Sequence, residues 1–192
     1  MLTDPLTQLP HDARRVVVRG TSGSGKTTLS KAIAESICAP HIELDAIFHQ
    51  PGWTTLGTDE FLARVEERTA GPTWVACGNY KDVAPTLTAR ADTMVLYDLP
   101  RHVVMARVVR RTLGRAIRRT ELWNGNKEKW RSIVSTDPDR SVILWAWTTH
   151  ARRAEQMREI AANPPPGVRV ILLTSLDEER LFRAGLRTAV RA

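Results

Sequence analysis

Two hydrophobic patterns alternate along the chain. Short apolar runs bounded by turn residues occur at residues 16–18, 41–44, 74–77, 93–97 and 168–173, and each has the length and β-branched character of a buried strand. Between them, apolar residues recur every three or four positions. This spacing predicts a helix over residues 26–38 with Leu29, Ile33 and Ile37 on one face, ending before Pro40. A second starts at Thr58, carries Phe61, Leu62 and Val65, and is closed by Gly71-Pro72. Residues 102–111 form a third, with Val103, Val104 and Val108. A long one over residues 141–162 places Ile143, Trp147, Ala154, Met157 and Ala161 on a stripe, so Trp145 and Trp147 read as core anchors. Ser175 and Glu178 make a capping box that opens the last helix, with Leu181, Phe182 and Leu186.

Strands alternating with helices predict an α/β fold of three layers: a five-stranded parallel sheet, order 2-3-1-4-5, covered by helices on both faces. Residues 112–140 interrupt the alternation. Gly114, Asn124-Gly125-Asn126 and Asp137-Pro138 mark them as an excursion, read as a small helical lid within one domain spanning residues 1–192.

The first strand runs directly into Gly20-Thr21-Ser22-Gly23-Ser24-Gly25-Lys26-Thr27-Thr28, which contains the phosphate-binding loop G-x-x-x-x-G-K-[ST]. A triphosphate is gripped by several main-chain N–H groups at once, which requires a loop free of obstructing side chains. Lys26 is positioned to reach the outer phosphates, Thr27 to ligate Mg²⁺, and the helix that begins here directs its positive end at the anion. The expected cofactors are ATP and Mg²⁺.

Strand ends supply the remaining candidates, because the carboxyl edge of a parallel sheet borders the ligand crevice. Asp45 follows the second strand as a candidate base or metal contact. Asn79 and Tyr80 follow the third. Asp98 follows the fourth, either as a tentative metal ligand or as the cap of the next helix. Trp53 lies on a loop where it either stacks on a substrate ring or packs inward, and His49 nearby reads as a surface histidine.

Composition sharpens this picture in one respect. The formal charge is +7, and seven arginines (101, 107, 110, 111, 115, 118 and 119) fall within nineteen residues that contain no acidic side chain. Such a cluster clamps the phosphates of a small substrate or lies along a polynucleotide, and composition does not separate the two. The chain has neither a leader-like start nor an apolar run long enough to span a membrane, so a cytoplasmic protein without a membrane partner is expected. Cys38 and Cys77 lack metal-ligand spacing and read as buried thiols.

With these residues in view, the chain resembles the nucleoside monophosphate kinase-like branch of the P-loop NTPases, in particular the DNA topology modulation or adenylate kinase-related group. The resemblance rests on residues 20–26, on Leu44, Asp45 and Phe48, on Pro51-Gly52-Trp53, Gly78-Asn79-Tyr80, Ala91-Asp92-Thr93 and Asp98-Leu99-Pro100, and on the arginine helix that follows; it covers residues 14–120. It implies a phosphate loop that holds ATP, Asp45, Asn79 and Tyr80 facing the acceptor, and Arg107, Arg111 and one or both of Arg118 and Arg119 reaching the phosphates from helix and lid. Relatives carry Asp where this chain has Cys77. The carboxylate near the metal then falls to Asp45 or Asp98, or the ion is held by Thr27 and water.

The function expected is an ATP-dependent phosphotransferase acting on a nucleoside monophosphate or on a hydroxyl acceptor such as a sugar acid, with Asp45 as general base. Scarcity of arginine near strands two and three keeps the hydroxyl acceptor in view, since Arg90 stands alone between Arg68 and Arg101. A nucleic-acid-associated ATPase is the reading from another class. It is not favoured, because no aromatic residues interleave the basic cluster and no nucleic-acid module is recognisable. An inactive nucleotide-binding module is the third.

Overall fold

The computed structural model describes residues 8–118, 120–126 and 141–189, with the side chains of residues 187–189 left aside. Five parallel strands are joined in the order β2-β3-β1-β4-β5: β1 (Arg15–Gly20), β2 (His41–Glu43), β3 (Trp74–Cys77), β4 (Thr93–Tyr97) and β5 (Arg169–Leu173). The order expected from the alternation of elements is the order found. The helices are α1 (Lys26–Ser36), α2 (Leu44–Phe48), α3 (Thr58–Arg68), α4 (Ala84–Arg90), α5 (Arg101–Arg118), α6 (Val142–Ala162) and α7 (Leu176–Ala189).

The period of two in the strands splits the apolar residues into two cores. Val16, Val18, Val75, Val95, Tyr97 and Leu173 face one side and pack with Leu29, Ile33, Val104, Val108 and Phe182. Val17, Trp74, Ala76, Met94 and Leu96 face the other and pack with Phe61, Val65, Leu87 and Met157. Both faces of a central parallel sheet are thereby buried, which is why its strands read as unbroken apolar runs.

Several expectations are corrected. Strand β2 stops at Glu43, and Leu44 and Asp45 open the short helix α2. The arginine helix runs through Gly114 to Arg118, because Val104, Val108, Thr112 and Ala116 continue one buried stripe at four-residue spacing; the first seven residues assigned to the lid belong to this helix. Arg119 and residues 127–140 lie outside the described residues. Trp145 and Trp147 are not core anchors: the buried face of α6 is Ala146, Thr149, His150, Ala154 and Met157, and both tryptophans point outward. His150 is tolerated inside because its Nε2 meets the Leu99 carbonyl at 3.1 Å, while Trp147 instead stacks under the Arg101 guanidinium at 4.0 Å. Of the two thiols, Cys77 is buried and Cys38 is exposed.

The capping box is present as expected. Glu178 N–H donates to Ser175 Oγ at 3.2 Å, and Ser175 N–H donates to Glu178 Oε2 at 3.3 Å. Among the described residues no helix is long and apolar enough to cross a membrane.

Candidate active site

The phosphate loop leaves the end of β1 and closes onto α1. Gly25 takes a left-handed conformation before α1, whose first turn has neither a side-chain cap nor an acidic residue, so its N–H groups remain available to an anion. Two other glycines are dictated by close approach. A Cβ on Gly20 would lie 2.6 Å from Tyr97 Cβ, and one on Gly23, at φ +85°, would lie 2.1 Å from Val108 Cγ2. Helix α5 therefore seats directly against the loop. Lys26 Nζ donates to the Thr21 carbonyl at 3.2 Å, which holds its charge within the loop.

Two arginines of the basic cluster meet the loop from α5. Arg107 donates to the Ser24 carbonyl at 2.5 Å and to Glu179 Oε2 at 2.8 Å, and Arg111 donates to Ser22 Oγ at 3.3 Å. Being four residues apart, they share one helix face. Glu179 was not singled out in the sequence. It sits beside the capping glutamate in the first turn of α7, and its carboxylate also accepts from Arg183 at 3.1 Å and from the Tyr97 hydroxyl at 3.2 Å. Burial and the Glu179 charge push the Tyr97 hydroxyl pKa upward, so it remains a donor. The rest of the cluster disperses: Arg101 is engaged with Trp147, while Arg110 and Arg118 are exposed.

The carboxylate beside Thr27 is another residue passed over in the sequence. Thr27 Oγ1 donates to Glu43 Oε1 at 3.3 Å and lies 3.8 Å from Cys77 Sγ. Glu43 and Cys77 are register partners at the ends of β2 and β3. Alternation within β2 held the signal, since Ile42 faces the opposite core and Glu43 must then face α1. Asp98 is engaged elsewhere, pairing with Arg158 at 3.2 Å. A hydroxyl and a carboxylate oxygen are hard donors of the kind Mg²⁺ accepts, and burial raises the Cys77 thiol pKa, keeping it a neutral neighbour. Among the described residues no group of three or more acidic, His or Cys side chains is arranged around one point.

Asp45 lies on α2, where Tyr80 donates to its Oδ1 at 2.6 Å. The Tyr80 ring is clamped by Phe48 and Phe61, at centroid distances of 4.8 and 5.0 Å, and its pKa is pushed upward by burial and then by the Asp45 charge. Asn79 holds the loop instead of facing outward: its Oδ1 accepts from Gly20 N–H at 3.2 Å, and its amide nitrogen donates to the Gly20 carbonyl.

Residues 120–126 dock on the loop after α2. Asn126, nearly buried, accepts from Trp53 N–H at 2.9 Å and donates to the Gln50 carbonyl at 2.9 Å, while Asn124 donates to the His49 carbonyl at 2.6 Å. Trp123 stacks on His49 with centroids 5.8 Å apart, and Trp53 meets both rings edge-on. Trp53 thus packs within an aromatic cluster, and His49, expected on the surface, is a half-buried member of it.

No family model and no curated protein matches the chain. Solved structures do. The chain is similar to a gluconokinase from Sinorhizobium meliloti 1021, at 22% identity over 93% of both chains with a TM-score of 0.51. It is also similar to a shikimate kinase from Bacteroides thetaiotaomicron, at 17% identity over 93% of this chain and 94% of that one, with a TM-score of 0.50. The chain has the P-loop kinase fold. In that fold the phosphate loop, the Thr27–Glu43 pair and the Asp45–Tyr80 pair stand along one edge of the sheet, at the carboxyl ends of β1, β2 and β3.

Proposed function

We propose that the protein is an ATP-dependent kinase of a small molecule that accepts the phosphoryl group on a hydroxyl. The observation that carries this reading is the Asp45 carboxylate, with one oxygen held by Tyr80 at 2.6 Å and the other left for an acceptor, at the sheet edge that carries the phosphate loop. The acceptor oxygen attacks the γ-phosphorus, the bond from that phosphorus to the β,γ-bridging oxygen breaks, ADP leaves, and Asp45 takes the hydroxyl proton.

The other residues position and neutralise. Lys26 exchanges its carbonyl partner in the loop for phosphate oxygens, and the uncapped N–H groups at the start of α1 cradle the chain of phosphates. Arg111 reaches the transferring group, and Arg107, locked between Ser24 and Glu179, fixes the loop beneath it. Thr27 and Glu43 would hold Mg²⁺, which supplies neutralisation of the β- and γ-phosphate charge.

A nucleoside monophosphate acceptor, as in the adenylate kinase-like reading, is less well supported. It calls for arginine near β2 and β3, where Arg90 is committed to the Glu66 carbonyl and to Thr69 Oγ1 at 2.9 and 2.8 Å. A polynucleotide acceptor fares no better, because Arg101 is engaged with the Trp147 carbonyl and Arg107 and Arg111 are turned onto the phosphate loop.

The test is ATP consumption with Mg²⁺ against polyols, hydroxy acids, nucleoside monophosphates and DNA, using Asp45→Asn and Lys26→Ala. Asp45→Asn should lower kcat by about 10²- to 10⁴-fold while ATP still binds. Turnover in that variant within threefold of the parent, or consumption with nucleoside monophosphates alone, would overturn the reading.

A further inference from the structure

On the sheet face opposite α1, a groove of about 640 Å³ runs between α4 and α6. Arg19 from β1, Arg153 from α6 and Lys81 line it. Arg19 is out of place by the logic of the strand. It shares a face with Val17 and is in register with Leu96, two members of an otherwise apolar core. Neither arginine meets a carboxylate among the described residues. Arg153 Nη1 donates to the neutral Gln156 Oε1 at 3.2 Å, and Glu159 lies six residues further along α6, about 9 Å at 1.5 Å per residue.

Two part-buried guanidinium groups on one groove repel each other and are costly to desolvate. Burial and the Arg153 charge both push the Arg19 pKa down, with no acidic group acting the other way. An anion between the two guanidinium groups would remove that penalty, and guanidinium forks match a carboxylate with paired hydrogen bonds. The groove also adjoins the chemistry. Arg19 immediately precedes Gly20, and Lys81 immediately follows Tyr80, whose hydroxyl holds Asp45. The order β2-β3-β1 separates the strand leading to Asp45 from the one bearing Arg19 by two strand spacings, about 10 Å. A hydroxy acid with a short carbon chain, met by an extended arginine side chain, is long enough to cover that lateral separation.

We propose that the phosphoryl acceptor is a hydroxy acid whose carboxylate is bound between Arg19 and Arg153, an inference that rests on the kinase reading of Asp45. Binding energy from this remote anchor orients the hydroxyl at Asp45.

The experiment pairs calorimetric binding with steady-state kinetics for five- and six-carbon hydroxy acids, the corresponding neutral alditols and sugar phosphates, on the parent, Arg19→Gln and Arg153→Gln. The acid should bind and the alditol should not. Each substitution should weaken acid binding and raise its KM by about 30-fold or more, leaving the KM for ATP within twofold. Arg153→Gln, on the outer helix, keeps the test open if Arg19→Gln fails to fold. Acid binding that depends on Arg19 without any phosphoryl transfer would sustain the groove and sink the kinase reading. Phosphorylation of a hydroxyl acceptor that is indifferent to both substitutions would sustain the kinase and overturn the groove. Equal affinity for acid and alditol, or preferential binding of a sugar phosphate through the same arginines, would overturn the carboxylate assignment.

Discussion

Replacing Glu179 by glutamine removes one charge from a cluster that ties three elements together. Its carboxylate receives Arg107 of α5 at 2.8 Å, Arg183 of its own helix at 3.1 Å, and the Tyr97 hydroxyl of β4 at 3.2 Å. The side chain is 8% exposed and its two arginines 28% and 27%, so water can replace the lost charge only in part. Breaking a buried ion pair from one side typically costs 3–5 kcal/mol, and the partial exposure of the arginines sets the expectation at the low end, about 3 kcal/mol. In a chain of 192 residues this corresponds to a fall in Tm of roughly 6–12 °C. Urea titration followed by tryptophan fluorescence measures the loss, with calorimetry for Tm and Glu178→Gln as a neighbouring control expected to lose under about 1 kcal/mol. ATP affinity should fall as well, because Arg107 would no longer be held against Ser24. A loss below about 1 kcal/mol for Glu179→Gln would refute the argument that this carboxylate anchors the loop.

Other outcomes follow from separate features. Gly23→Ala forces a Cβ into Val108 at a left-handed φ of +85°; it should destabilise the fold by about 2–4 kcal/mol and abolish ATP binding, and an alanine variant with parental Tm would count against the packing of α5 on the loop. The rings of His41 and His49 both have pKa values lowered by burial, so below about pH 6.5 the unfolded chain binds protons that the folded one resists. Stability should therefore decline as pH falls from 7 to 5, and the decline should flatten in His41→Asn/His49→Asn, as urea midpoints across that range would record. A colorimetric thiol reagent should modify one cysteine in the native protein, the exposed Cys38, and two after denaturation; rapid native modification of both would contradict the burial of Cys77.

Much of this molecule is legible one residue at a time. The strands, the phosphate loop and the sheet order depend on local pattern: apolar runs of strand length, glycines at fixed spacing, and crossovers that leave little topological choice. What escaped were elements whose pattern is too short or too polar to show periodicity. Helix α4 spans seven residues with one buried apolar side chain, Leu87, and the end of α5 is buried through Thr112 and Ala116, neither of which reads as a core residue. The tryptophans of α6 misled for the converse reason. Hydrophobic size suggested burial, whereas close helix approach selected Ala146 and Ala154 for the interior and left Trp147 to cover Arg101.

The sequence by itself determined that a phosphate-binding loop follows a central strand, and it named Asp45, Tyr80, Arg107 and Arg111 as residues of interest. Only the tertiary structure decided how charges are shared among them. Electrostatic partnership depends on distances of a few ångströms between elements far apart in the chain, and sequence spacing carries no such information. So Glu43 stands beside Thr27 while Asp98 is drawn away to Arg158, Glu179 reaches across 72 positions to hold Arg107, and Arg19 feels the charge of Arg153 with no ion pair to a carboxylate among the described residues.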